Sequence, residues 1–285
     1  MKPELVADYR CECGENPLWH PTEKRLYWLD ITTGRMFRYD PASGTHEQFY
    51  KGGVVGGFTF QADGAMLLFM ARGAIKLRRG GRLTTVIEQI PAEHDSRFND
   101  VIADPAGRVF CGTMPAGNRL GRLYRLSTTG GLTQLLETVA CSNGFGFTPD
   151  RKGMYYTDSF KHVIYLFDYD VRSGEITNKR VFARVPPDGG FPDGMTVDAE
   201  GCVWSARWDG GCLVRYSPDG ELLRRIAFPA RKVSSVVFGG DDYGDIYVTT
   251  AGGDKKKTEG AGAGALFRLR LGIRGAAEFP SRVNV

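Results

Sequence analysis

Four residues far apart in the chain, Glu15, Asn99, Asn143 and Asp193, each stand two positions ahead of an alternating apolar run, at Glu15-Asn-Pro17, Asn99-Asp-Val101, Asn143-Gly-Phe145 and Asp193-Gly-Met195. Two further runs begin in the same way, at Gly56-Gly-Phe58 and Ser234-Ser-Val236. Two carboxylates and two amide oxygens make a hard donor set, and no histidine occupies any of these positions. Carboxylates brought into one partly dry cavity repel each other, and desolvation raises their proton affinity further unless a cation lies among them. The donor types suit Ca²⁺ foremost, or Mg²⁺, with Mn²⁺ or Zn²⁺ able to replace them. Four protein oxygens leave such a shell unfilled, and open positions for water and substrate are what a catalytic ion requires. Asn-Gly and Asp-Gly are common turn dipeptides, but Glu is a poor turn residue, so Glu15 lends the pattern its weight. Arg97 precedes Asn99 by two residues and brings a planar fork suited to hydroxyl or carbonyl oxygens to the same place.

Residues so distant in sequence meet only if repeated elements carry them to one point. The phrase that follows each position recurs six times: PLWHPTEKRLYW, FTFQADGAMLLF, VIADPAGRVFCG, FGFTPDRKGMYY, MTVDAEGCVWSA and VVFGGDDYGDIYV. Each is an apolar strand, a turn rich in Asp, Pro and Gly, and a second strand. The second strands begin near Leu26, Leu67, Val109, Met154, Val203 and Ile246, at steps of 41 to 49 residues. That interval suits a four-stranded blade, and radial repetition of blades around a channel limits exposed sheet edges. The expected fold is all-β, a six-bladed β-propeller with four-stranded blades, occupying residues 1–285 as one domain. The first strand of each blade lines the axis, which places the six positions around one mouth of the central channel, the expected metal site. Residues Glu4 to Arg10 are expected to supply one strand to the last blade and so close the ring.

At 285 residues and 42% hydrophobic, the chain can bury a substantial core. Its net charge of +4 arises from 37 basic and 33 acidic residues without a basic face, which argues against a nucleic-acid partner. No apolar stretch approaches the roughly 20 residues of a membrane span, and the first residues lack the apolar core of a secretory signal, so the expected location is cytoplasmic. The six cysteines are expected to be free thiols, most of them buried. Cys11-Glu-Cys13 lacks two further ligands for a zinc site, and Lys255-Lys256-Lys257 reads as a solvated loop. No nucleophile elbow, phosphate-binding loop or zinc-protease motif is present.

At these residues the sequence resembles the SMP-30/gluconolactonase family. The likeness is carried by CGENPLW from Cys13, RFND from Arg97 running into DPAGRVFCGTM, SNG from Ser142, YTDS from Tyr156, ITNKR from Ile176, and PDGM from Pro192 followed by VDAEGCVW. The resemblance implies the same propeller, one divalent metal ion held by Glu15, Asn143 and Asp193, and substrate contacts from Arg97 and Asn99. It also implies hydrolysis of a sugar-acid lactone, with the carbonyl polarised by the metal and Asp193 as general base. A small-molecule sugar lactone is then the partner, and the chain is expected to be a monomer or a weak homo-oligomer. Gly117 stands where animal members carry a substrate-contacting Glu, which implies a shorter lid, and Gly146 where they carry an acid. Two other functions fit the same residues: a calcium-binding regulatory or scaffold propeller, and a phosphotriester hydrolase on the same metal site.

Overall fold

Each of the six recurring phrases folds into the inner half of a four-stranded antiparallel sheet. The computed structural model describes residues 2–284, and its strands form six such sheets. The innermost strands are Gly14–His20, Val55–Phe60, Phe98–Ala103, Ser142–Phe147, Phe191–Val197 and Val233–Gly239, in blades one to six. They touch in a closed circle, each blade against the next and blade six against blade one. The chain is therefore the expected six-bladed propeller. Blade six takes its outermost strand from the N-terminus, Glu4–Asp8 pairing antiparallel with Ala265–Arg270, so the ring is closed by hydrogen bonds between the two ends of the sequence.

Burial grades outward along each blade, as this packing requires. Inner strands such as Val55–Phe60 and Ser142–Phe147 are buried at every residue because neighbours cover both their faces. Outer strands such as Thr45–Lys51 and Leu222–Ala227 are mostly exposed. The apolar side chains gather in six wedges, one between each pair of adjacent blades, and no central core exists among the described residues. Phe110 and Leu123 of blade three, for example, pack on Phe145 and Met154 of blade four. All six cysteines are free and five are buried. The lysine run departs from its expected form: Lys255 ends a 3-10 turn and Lys256–Glu259 makes one helical turn, drawn in by an ion pair from Lys256 to Asp8 on the closing strand.

Beyond Arg270 the chain crosses the face opposite the starts of the inner strands. Gly275 N donates to Tyr243 O, Ala199 N to Arg274 O, Ser281 N to Phe60 O and Arg282 N to Gly107 O. Gln61 clasps Val283 through both ends of its amide, at 2.7 and 3.0 Å. This strap ties together blades two, three, five and six. Half-buried Glu278 reaches from it to Thr196 at 3.1 Å, beside a channel cavity of about 50 Å³ that Asp100, Phe145 and Met195 also line. Nothing in the repeat pattern announces it, since it follows the last blade and its contacts go to turns and strand ends of four different blades.

Candidate functional site

All six inner strands break register with the second strand at one place. The irregularities fall between Glu15 and Leu18, Val55 and Gly57, Phe98 and Val101, Asn143 and Phe145, Pro192 and Met195, and Val233 and Ser235. A bulge inserts an unpaired residue and re-aims its side chain. Asn99 and Asp193 lie within these unpaired stretches and Glu15 and Asn143 immediately before them, and all four line a shared cavity of about 230 Å³ together with Arg97. The glycines after the site residues follow from crowding at the hub. A Cβ on Gly144 would lie 2.5 Å from Asp193 O in the next blade, and one on Gly194 would overlap Ser235 of blade six. In blade one Asn16 takes that place with φ 47°, and its Oδ1 accepts from Phe58 N of blade two at 2.5 Å.

The site's electrostatics are those of carboxylates short of a cation. Glu15 and Asp193 are 3% and 4% exposed. Burial, then the Asp193 and Asp100 charges, hold the Glu15 carboxyl well above its ordinary range; burial, then Asp100, do the same to Asp193. Asp100, also buried, is pushed up to about 7. Arg97 is the one guanidinium that lowers all three, and it does not pair with them: its Nη1 donates to Phe98 O at 2.9 Å and to Asn99 Oδ1 at 2.6 Å. The amides are locked in turn. Asn99 Nδ2 donates to Ser142 O at 2.8 Å and to Asn143 Oδ1 at 2.7 Å, and Asn143 Nδ2 donates to Ser159 Oγ at 2.7 Å.

A divalent ion fits this donor set. Glu15, Asn143 and Asp193 offer hard oxygens from three blades, and two buried carboxylates without a paired cation lower their energy by sharing one. Sixth-position Ser234 joins no such set; its hydroxyl donates to Gly14 O and ties blade six to blade one. A second group of candidate donors, Asp198, Glu200 and Cys202, lies within 4.8 Å of one another. Its acids are already satisfied: Asp198 accepts from the Glu200 and Cys202 amides, from Trp204 Nε1 at 2.8 Å and from Arg215, which also holds Glu200. That group caps a turn.

The cavity's outer wall is apolar, formed by Met114, Phe160, Phe191 and Trp208. Phe160 packs edge-on to Phe191, and half its surface is exposed. None of these four, nor Ser159, was among the expected site residues. Ser159 ends the YTDS stretch, Phe160 follows it and Met114 ends GTM, but an aromatic or hydroxyl side chain carries no mark of a cavity in sequence. Gly117 occupies the tip of a tight turn closed between Ala116 and Arg119, with φ 54° and no atom near the place of its absent Cβ. The segment around Gly117 is a hairpin tip, pinned by Arg119 to Glu93 and Asp95.

The profile of the SMP-30/Gluconolactonase/LRE-like region matches residues 13–252. Pentonolactonase XacC of Haloferax volcanii is 47% identical over the whole of both chains. A 6-deoxy-6-sulfogluconolactonase of Pseudomonas putida is 36% identical over 93% of each. Among solved structures, a calcium-binding regucalcin from Agrobacterium tumefaciens superposes with a TM-score of 0.91 at 25% identity, covering 99% of this chain and 97% of that one. With its profile, its full-length relatives and its ring of blades in agreement, the chain belongs to the SMP-30/gluconolactonase/LRE-like family.

Proposed function

We propose that this protein hydrolyses the lactone of a sugar acid to the open aldonic acid, at the cavity where Glu15, Asn99, Asn143, Asp193 and Arg97 meet. The reading is supported by two relatives whose names describe lactonases acting on lactones of sugar acids. The observation that carries it is local: two buried carboxylates with no arginine or lysine paired to them among the described residues, and two oriented amides, share one open cavity with an arginine whose Nη1 is held by the protein.

Glu15, Asn143 and Asp193 would hold one divalent ion, Ca²⁺ foremost with Zn²⁺, Mg²⁺ or Mn²⁺ as replacements. When bound, such an ion supplies Lewis acidity to an ester carbonyl, worth several kcal/mol of transition-state stabilisation. The remaining work belongs to the chain. Arg97 binds hydroxyl or carbonyl oxygens of the sugar through the part of its fork that the protein leaves free, and Asn99 presents its amide beside them. Met114, Phe160, Phe191 and Trp208 cover the C–H faces of the ring and exclude bulk water. Asp193 accepts at a carboxylate oxygen the proton of the water that adds to the carbonyl carbon. It returns a proton to the ring oxygen as the C–O bond breaks, so that acid and water balance.

The test is turnover of a panel of aldonolactones before and after chelation, with each of the four ions added back. Chelation is expected to abolish hydrolysis and one or more ions to restore it. Asp193→Ala and Asp193→Asn are expected to lower kcat by on the order of 10² to 10⁴, and Arg97→Ala mainly to raise KM. Unchanged turnover after chelation, or full activity in both Asp193 variants, would refute the assignment.

A further inference from the structure

Ser159 opens the 3-10 turn that follows the second strand of blade four, and it is 3% exposed. Its Oγ lies 2.6 Å from Pro192 O, one residue before Asp193 in blade five, and 2.7 Å from Asn143 Nδ2 in its own blade. A carbonyl oxygen carries no proton, so the single hydrogen of the hydroxyl goes to Pro192. What remains on Oγ can only accept. Asn143 must then present its NH₂ to Ser159, which turns its Oδ1 toward Asn99 and the cavity. The opposite end of the chain agrees. Asn99 Oδ1 is taken by Arg97 Nη1, so Asn99 directs Nδ2 at Asn143 Oδ1 and at Ser142 O. Reversing the Asn143 amide would set its oxygen against a hydroxyl without a free proton and its nitrogen against the NH₂ of Asn99. Both contacts would be lost.

We infer that Ser159 is a positioning residue: its hydroxyl selects the orientation in which Asn143 offers an oxygen to the cation, and it ties that amide to the strand bearing Asp193. This rests on the reading above, in which Asn143 Oδ1 is a ligand. Groups that orient a ligand from behind change metal affinity by about 10- to 100-fold when removed.

Titration of Ca²⁺ alone into the chelator-treated full chain, followed by calorimetry, tests it. Ser159→Ala is expected to weaken Ca²⁺ binding about 10-fold or more. Ser159→Thr and Ser159→Val have nearly equal volume and differ by the hydroxyl, so they decide the matter even where S159A fails to fold. Thr is expected to bind within about threefold of wild type and Val to match Ala, each measured on folded protein, with Val melting lower than Thr because it leaves Pro192 O and the Asn143 amide unpaired. A purely structural role would give that same difference in melting temperature and leave the Ca²⁺ affinities of folded Ser159→Thr and Ser159→Val equal. Wild-type binding with equal affinity in S159A and S159V overturns the role of Ser159 alone. Failure of the wild type to bind Ca²⁺, and Mg²⁺, Mn²⁺ and Zn²⁺ titrated in its place, removes the metal reading, and this inference with it.

Discussion

Two kinds of buried acid occur in the repeats, and their partners tell them apart. Asp104 and Asp198 sit in the turns after the inner strands. Asp104 accepts from the Ala106 and Arg108 amides, Asp198 from those of Glu200 and Cys202, and each also holds an arginine. Glu15 and Asp193 sit at the starts of those strands with no arginine bound among the described residues, and burial raises their proton affinity above the ordinary carboxylate range. The pH consequence follows in sign. The folded pKa values of Glu15, Asp193 and Asp100 lie above those of the unfolded chain, so the folded state binds more protons. The stability they contribute is full below the unfolded carboxylate range and is lost as pH rises through the folded values, about 7 for Asp100. The melting temperature of chelated protein is therefore expected to fall between pH 5 and pH 8. Added Ca²⁺ is expected to raise it more at pH 8 than at pH 5, because ion and protons compete for the same oxygens. A flat profile in scanning calorimetry would contradict this.

At the scale of elements, the bulged inner strand does the positioning, and glycine is what allows it. A Cβ on Gly194 meets Ser235 Oγ, Cβ and backbone together, and one on Gly56 meets the Phe98 carbonyl, so neither clash is relieved by rotating a side chain. Gly194→Ala is expected to cost about 1–3 kcal/mol from overpacking and to displace Asp193 next to it. Denaturant unfolding together with Ca²⁺ affinity reads both effects. The closing strand and the strap are separable. Removing residues 1–8 exposes the edge at Ala265–Arg270 and leaves the Leu266 side of the blade six to blade one wedge without Ala7. Removing residues 272–285 frees the bonds to Phe60, Gln61, Gly107, Ala199 and Tyr243. Both truncations are expected to lower the melting temperature; the first is expected to lower it more, because it opens a sheet edge and a core wedge at once.

At the scale of the molecule, a ring with its apolar mass between blades leaves the axis for polar groups, and the two ends of the channel are chemically unlike. One end gathers Glu15, Asp193, Asn99 and Asn143; the other is crossed by the strap, with Glu278 beside the channel. A single ion per chain is therefore expected by elemental analysis. Asp198→Asn is expected to destabilise the fold by about 1–3 kcal/mol, as its arginine and amide partners lose a charged acceptor, and to leave metal content unchanged. Loss of the ion in that variant would move the metal site to the turn of blade five.

The number of blades, their order, the closing strand and the set of residues at the strand starts were all legible in sequence, because each rests on local rules that recur: alternation, turn chemistry, and one register repeated six times. The Glu15, Asn99, Asn143 and Asp193 cluster could be named because equivalent positions of a ring must converge. What only the tertiary structure decided is direction and accompaniment: the bulges that aim those side chains, the hydroxyl of Ser159 that orients an amide, the aromatic wall of the cavity, and the strap across the far face. These depend on contacts between segments that share no repeat register, where the energy of a bond is set by the partner that arrives and not by the residue that waits.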